Sequence, residues 1–197
     1  MPQGKQAKML TPKQETAVLT YLQAVRSPVR DRVMFLLSIK AGLRAKEIAC
    51  LTWSMVTDAA GQITEAIALP NRASKGRRGG RTIPLNLTLR AALVDLHQLY
   101  WDAVHPERPV VTSERGGPLT ASSVTKWFFH LYRDVGMTGC SSHSGRRTFI
   151  TRAARKVSEV GGSVRDVQQL AGHASLQTTQ RYIEGDTDAK RKLVQLI

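Results

Sequence analysis

The stretch LAGHASLQTTQRYIE, residues 170–184, decides the reading of this chain. It sets His173 and Tyr182 nine positions apart, with a short helical turn and the polar run Gln177-Thr178-Thr179-Gln180 between them. Just upstream, SSHSGRRTFITRAAR at 141–155 carries His143, Arg146 and Arg147. A phenol with a pKa near ~10 is a poor nucleophile at neutral pH. It becomes an effective one where cations and proton acceptors crowd round it. Two histidines and an arginine pair close in sequence to Tyr182 are a crowd of that kind.

Working outward, His143 and Arg146 share a helical face at i and i+3, so both can meet one ligand. Arg147 at i+4 fits the same geometry, and spacing does not choose between the two arginines. His143 opens this helix in the sequence reading, and Arg152 and Arg155 continue its basic face. Gly161-Gly162 breaks it. Ser163 caps a following helix over 164–171 that packs Val164, Val167 and Leu170, and Gly172 ends that helix, leaving His173 exposed at the turn. Taken alone, His173 reads as a histidine favoured by a helix C-terminus, and Tyr182 as a half-buried aromatic.

Toward the N-terminus, residues 1–10 read as a loose basic tail. Thr11, Pro12 and Gln14 form a capping box with proline at the first helical position. Val18, Leu19, Leu22 and Val25 give that helix an apolar stripe. Ser27-Pro28 starts a second helix through Val33, Leu36, Leu37 and Ile39, with Gly42 as its stop. Arg44 follows, then a short helix from Glu47-Ile48 to about Trp53. By itself Arg44 is a surface residue in a turn, although its place behind a buried helix makes it a fixed donor. Its planar fork suits two phosphate oxygens.

Residues 55–85 change character. Ile63, Ile67 and Leu69 suggest strands, and RASKGRRGGR at 72–81 reads as a hairpin tip with five cations, Arg72, Lys75, Arg77, Arg78 and Arg81. A basic loop is an ordinary electrostatic contact for a polyanion, so these arginines are candidates for the DNA backbone, as is Arg147. An amphipathic helix over 87–103 follows, in which His97 is structural. Thr120 then caps a helix over 121–135 whose Val124, Trp127, Phe128 and Leu131 lie at core spacing.

In this order Arg44, Lys75, His143/Arg146, His173 and Tyr182 resemble the signature of the tyrosine recombinase, or phage integrase, family. Ala41-Gly42-Leu43-Arg44-Ala45-Lys46-Glu47-Ile48 resembles the segment with that family's first arginine. Ser74-Lys75-Gly76 with Arg81-Thr82-Ile83-Pro84-Leu85 resembles the β-hairpin with its lysine. The resemblance covers about residues 11–185 and selects Arg146 over Arg147. It implies an α+β fold, mostly α-helical with a small antiparallel β-sheet or hairpin, as in the catalytic domain of DNA breaking-rejoining enzymes. It also implies site-specific recombination through a 3′-phosphotyrosine. Tyr182 would be the nucleophile, Arg44 and Arg146 the phosphate ligands, and Lys75 the proton donor to the leaving oxygen. His143 would handle the tyrosine proton, and His173 would bond the phosphate. A type IB topoisomerase uses a similar set, and a non-catalytic DNA-binding regulator could keep the fold. The small size and the wording from Leu170 to Tyr182 favour the recombinase.

Bulk properties agree. A net charge of +14 on 197 residues points to nucleic acid, here double-stranded DNA. Two cysteines make no disulfide framework, and Cys140-x-x-His143 lacks the second pair a zinc site needs. The residues contain no Walker loop and no acidic cluster spaced for magnesium, so no cofactor and no metal is expected. The longest apolar run, VMFLLSI at 33–39, is too short for a bilayer, and no signal peptide is evident. A cytoplasmic, nucleoid-associated protein without membrane contact is expected. With no repeats or linkers, one catalytic domain over 11–197 is expected, with no N-terminal core-binding domain. Its C-terminal tail, 186–197, is a candidate exchange element between subunits, because the resemblance implies a homo-tetramer on paired DNA sites.

Overall fold

The computed structural model describes residues 7–70, 80–100, 105–182 and 194–195. The first helix, α1 (Pro12–Tyr21), starts as the sequence dictates. The Thr11 hydroxyl accepts from the Gln14 N–H at 3.3 Å, and the Gln14 side-chain Oε1 accepts from the Thr11 N–H at 2.9 Å. The second helix, α2 (Pro28–Lys40), buries Val33 through Ile39 without a break. A helix apolar on all sides belongs inside a core, and α2 packs against a later helix, α4 (Leu87–Leu99). Next comes α3 (Ala45–Ala49), packed against α5 (Ala121–Asp134).

Several boundaries differ from the sequence reading. Helix α3 begins at Ala45 rather than at Glu47, and Trp53–Met55 is a separate 3-10 turn. The reason is local. Arg44 is extended (φ −78°, ψ 157°) and its N–H is capped by the Glu47 carboxylate, so the helix starts at the next residue. Helix α4 ends at Leu99 rather than running to 103, and Leu99 is 61% exposed. Ile63 makes only a single bridge, with Thr57. His143 precedes its helix, α6 (Ser144–Lys156), instead of opening it. Residues 7–10, read as loose, are pinned. The Lys8 N–H donates to Gly139 O at 3.2 Å, and the buried Leu10 N–H donates to the Thr148 hydroxyl at 2.8 Å.

Two strands, β1 (Ala66–Leu69) and β2 (Arg81–Pro84), form an antiparallel ribbon with Ile67 opposite Ile83 and Leu69 opposite Arg81. Ile67, Leu69 and Ile83 are buried, which is the alternation of a one-sided sheet. The described residues are therefore mostly helical with one small antiparallel sheet, as expected. The hairpin tip with Arg72, Lys75, Arg77 and Arg78 lies outside the described residues.

The chain divides into two compact units, Met1–Phe149 and Ile150–Ile197, where the sequence reading has one domain. In the second unit a 3-10 turn (Val157–Val160) ends at Gly161, and α7 (Val164–Ala171) follows. Ser163 and Asp166 form its capping box. The Ser163 N–H and hydroxyl both bond the Asp166 carboxylate and hold it below the ordinary aspartate range. Gly172 closes α7 at φ +60°, and α8 (Leu176–Gln180) packs back on α7. Of the C-terminal tail, only 194–195 fall among the described residues. No helix among the described residues is long and apolar enough to cross a membrane.

Candidate active site

Arg44 leaves α2 through a tight turn. Gly42 sits at φ +65°, a conformation glycine adopts freely, and the Leu43 N–H returns to Leu37 O at 3.1 Å. The Arg44 side chain is 23% exposed and is held by Glu47. Glu47 is fully buried and takes four donors. Its Oε2 accepts from the Arg44 N–H at 2.8 Å and from Arg81 Nη2 at 2.9 Å. Its Oε1 accepts from Arg44 Nη1 at 2.8 Å and from Arg81 Nη1 at 2.9 Å. Burial pushes the Glu47 carboxyl up, but the Arg81 fork, then Arg44, outweighs it and holds the group below the usual glutamate value.

Arg146 reaches the same turn from α6. It is 4% exposed and Nη1 donates to Gly42 O at 2.6 Å. A Cβ on Gly42 would lie 2.4 Å from Cδ1 of Phe149, so the turn is seated directly against α6. Gly145 allows a second close approach, because a Cβ there would lie 2.4 Å from the Ser38 hydroxyl of α2. Arg44 and Arg146, 102 positions apart in sequence, are thus both fixed to residues 42–47. His143 is exposed at the start of α6, and its N–H donates to the Ser141 hydroxyl at 3.3 Å. The structure also separates the two arginines that spacing left equivalent. Arg147 turns the other way and donates to Ala7 O at 2.9 Å.

The second unit carries the other pair. His173 is half-buried rather than exposed, and its Nδ1 is 2.9 Å from the hydroxyl of fully buried Thr179. A hydroxyl both donates and accepts, so this bond holds the ring in either tautomer. Gln168 braces the backbone by donating to His173 O at 3.1 Å and accepting from the His173 N–H at 3.1 Å. The Tyr182 ring stacks on His173 with centroids 5.5 Å apart and planes at 21°. The Tyr182 N–H donates to Thr179 O at 3.0 Å, so Thr179 holds the His173 ring and the Tyr182 backbone.

Arg81 and Arg147, both expected at the DNA backbone, each hold a partner within the protein. Arg81 is the first residue of β2 rather than part of the tip, and its side chain, 10% exposed, is forked on Glu47. Arg147 holds the N-terminal segment, as described above. Lys75 lies outside the described residues. Glu47, which the sequence reading uses only to start a helix, is the buried acceptor shared by Arg44 and Arg81. Among the described residues no cluster of His, Cys, Asp or Glu could hold a metal.

The chain is similar to known proteins over most of its length. The model of the phage integrase family matches residues 8–188. Tyrosine recombinase XerC of Chromohalobacter salexigens is 31% identical over 160 residues, covering 80% of this chain and 49% of that protein. The crystal structure of XerA recombinase superposes with a TM-score of 0.77 at 22% identity, over 99% of this chain and 66% of that one. The Tn1549 transposon integrase, solved with transposon right-end DNA, gives a TM-score of 0.72 at 21% identity, over 99% of this chain and 67% of that one. The chain spans about half the length of the curated relatives it matches.

Proposed function

Because the chain belongs to the phage integrase family, we propose that it is a site-specific DNA recombinase. Tyr182 Oη attacks the scissile phosphorus, the bond to the 5′-oxygen breaks, and a 3′-phosphotyrosine forms. The phenol proton passes to His143. The leaving 5′-oxygen takes a proton from Lys75 and departs as a hydroxyl. A 5′-hydroxyl from the partner duplex then reverses the same steps and reseals the strand. The phosphodiester energy is kept in the phosphotyrosine, so no nucleotide is consumed. Negative charge gathers on the two non-bridging oxygens, where prepositioned donors act most strongly. Arg44 and Arg146 take that role, and His173 donates a further hydrogen bond. Each positioned acid or base contributes about 10²–10⁴-fold in rate.

The observation that carries this reading is the common anchorage of the two guanidinium groups, Arg146 on Gly42 O and Arg44 on Glu47. Two cations far apart in sequence and fixed on one short turn are suited to a single phosphate. The stacked pair of His173 and Tyr182 supports it from the second unit.

The partner is double-stranded DNA. Exchange of four strands calls for four tyrosines, hence a homo-tetramer on two paired sites, acting on DNA at the nucleoid. The deciding experiment is trapping on a nicked suicide duplex, whose short 5′ product diffuses away and strands the intermediate. Wild-type protein should form a covalent adduct mapped to Tyr182, and Tyr182→Phe should form none. Absence of any adduct with a genomic library of duplexes would leave a DNA-binding regulator as the answer.

A further inference from the structure

We propose that Arg81 is a positioning residue for Arg44, acting through the buried Glu47 carboxylate rather than by touching DNA. The inference rests on the reading of Arg44 as a phosphate ligand. Three observations carry it. Arg81 places two terminal nitrogens on the two oxygens of Glu47, each at 2.9 Å, in the planar fork that only arginine provides. Those same oxygens hold Arg44, one through its backbone N–H and one through Nη1. Finally, Arg81 opens β2 opposite Leu69, so the fork ties the strand ribbon to the first turn of α3.

The electrostatic consequence follows from counting charge. Glu47 with Arg44 alone is a neutral pair, and a buried carboxylate short of donors draws its one guanidinium into a closed fork. Arg81 supplies that fork instead. The trio then carries one net positive charge, and the Arg44 side chain stays 23% exposed while bonded to Glu47. Without Arg81, Glu47 competes with the DNA phosphate for Arg44.

The test compares Arg81→Met, Arg81→Lys, Arg44→Ala and Arg81→Met/Arg44→Ala in the full chain. Adduct formation on the suicide duplex is read beside DNA affinity at several salt concentrations. A displacement of about 1 Å in a positioned group costs up to ~10²-fold, so Arg81→Met should slow adduct formation about 10- to 100-fold. The salt slope of binding should stay unchanged, Arg81→Lys should not restore the rate, and the loss should vanish in the Arg44→Ala background. A direct phosphate contact would instead lower the salt slope by ~1, be rescued by lysine and add to Arg44→Ala; that pattern overturns the proposal. So does a rate within twofold of wild type. Should Arg81→Met fail to fold, Arg81→Lys carries the test through its crystal structure. Arg44 drawn onto both oxygens of Glu47 supports the proposal, and Arg44 unmoved refutes it. If the wild type forms no adduct, the recombinase reading falls by itself, and that crystal structure still decides the role of Arg81.

Discussion

Replacing Gly42 with alanine perturbs the one turn on which both arginines depend. Two costs add. An L-residue at φ +65° pays about 1–2 kcal/mol in backbone strain. The new methyl would also stand 2.4 Å from Cδ1 and 3.0 Å from Cε1 of Phe149, so the ring or the turn must shift, at an overpacking cost of about 1–3 kcal/mol. Together they amount to about 2–5 kcal/mol. With a urea m-value of about 2 kcal/mol/M, the midpoint should fall by about 1–2.5 M at unchanged slope. The same shift moves the Gly42 carbonyl away from Arg146, so adduct formation should fall about 100-fold even where the variant is folded. Gly42→Ala/Phe149→Ala separates the two costs, because it removes the clash but not the strain; the double variant should be less destabilised than the two single changes summed. A Gly42→Ala midpoint within about 0.5 M of wild type, together with a wild-type rate of adduct formation, would refute the claim that this turn is seated against α6.

Three further outcomes are expected. Glu47 has its folded pKa below its unfolded one, so its contribution is present above about pH 4.3 and is lost as pH falls through the folded value. Glu47→Gln should flatten that acid limb in pH-dependent denaturation and cost about 3–5 kcal/mol at pH 7; an unchanged acid limb would contradict the assignment. Thr148→Val removes the hydroxyl that accepts from the buried Leu10 N–H, and should cost about 1–3 kcal/mol. Hydrogen exchange at Leu10 should rise first, and unchanged protection there would count against the pinned segment. Thr179→Val removes the hydroxyl that holds His173 Nδ1; adduct formation should slow about tenfold or more with little change in circular dichroism, and an undiminished rate would remove His173 orientation from the mechanism.

What could be read from residues alone follows a physical division. Caps and turns were legible because their chemistry is local: Thr11 with Gln14, Ser163 before α7, Gly172 after it. Helix α2 was legible from its unbroken apolar run, and the β1–β2 ribbon from Ile67 and Leu69 before a glycine-rich tip. The orientation of long side chains was not. Arg81 and Arg147 read as DNA-backbone candidates because charge and position are all that sequence supplies, while the structure forks Arg81 on Glu47 and bonds Arg147 Nη1 to Ala7 O. The sequence counts donors but does not say which buried acceptor claims them. The Glu47 role was hidden for the converse reason, since a glutamate in a short helix looks like a surface residue until a strand brings Arg81 to it. His173 illustrates the same limit, because the Thr179 hydroxyl that bonds its ring comes from the next helix.

The pinned segment at 7–10 has a mechanical corollary. Hydrogen bonds from Arg147 to Ala7, from Lys8 to Gly139 and from Leu10 to Thr148 make it a tether fastened at three points to the start of α6 and the loop ahead of it. Tension applied at Ala7 is therefore delivered to the first turn of α6, which bears Arg146 and directly follows His143.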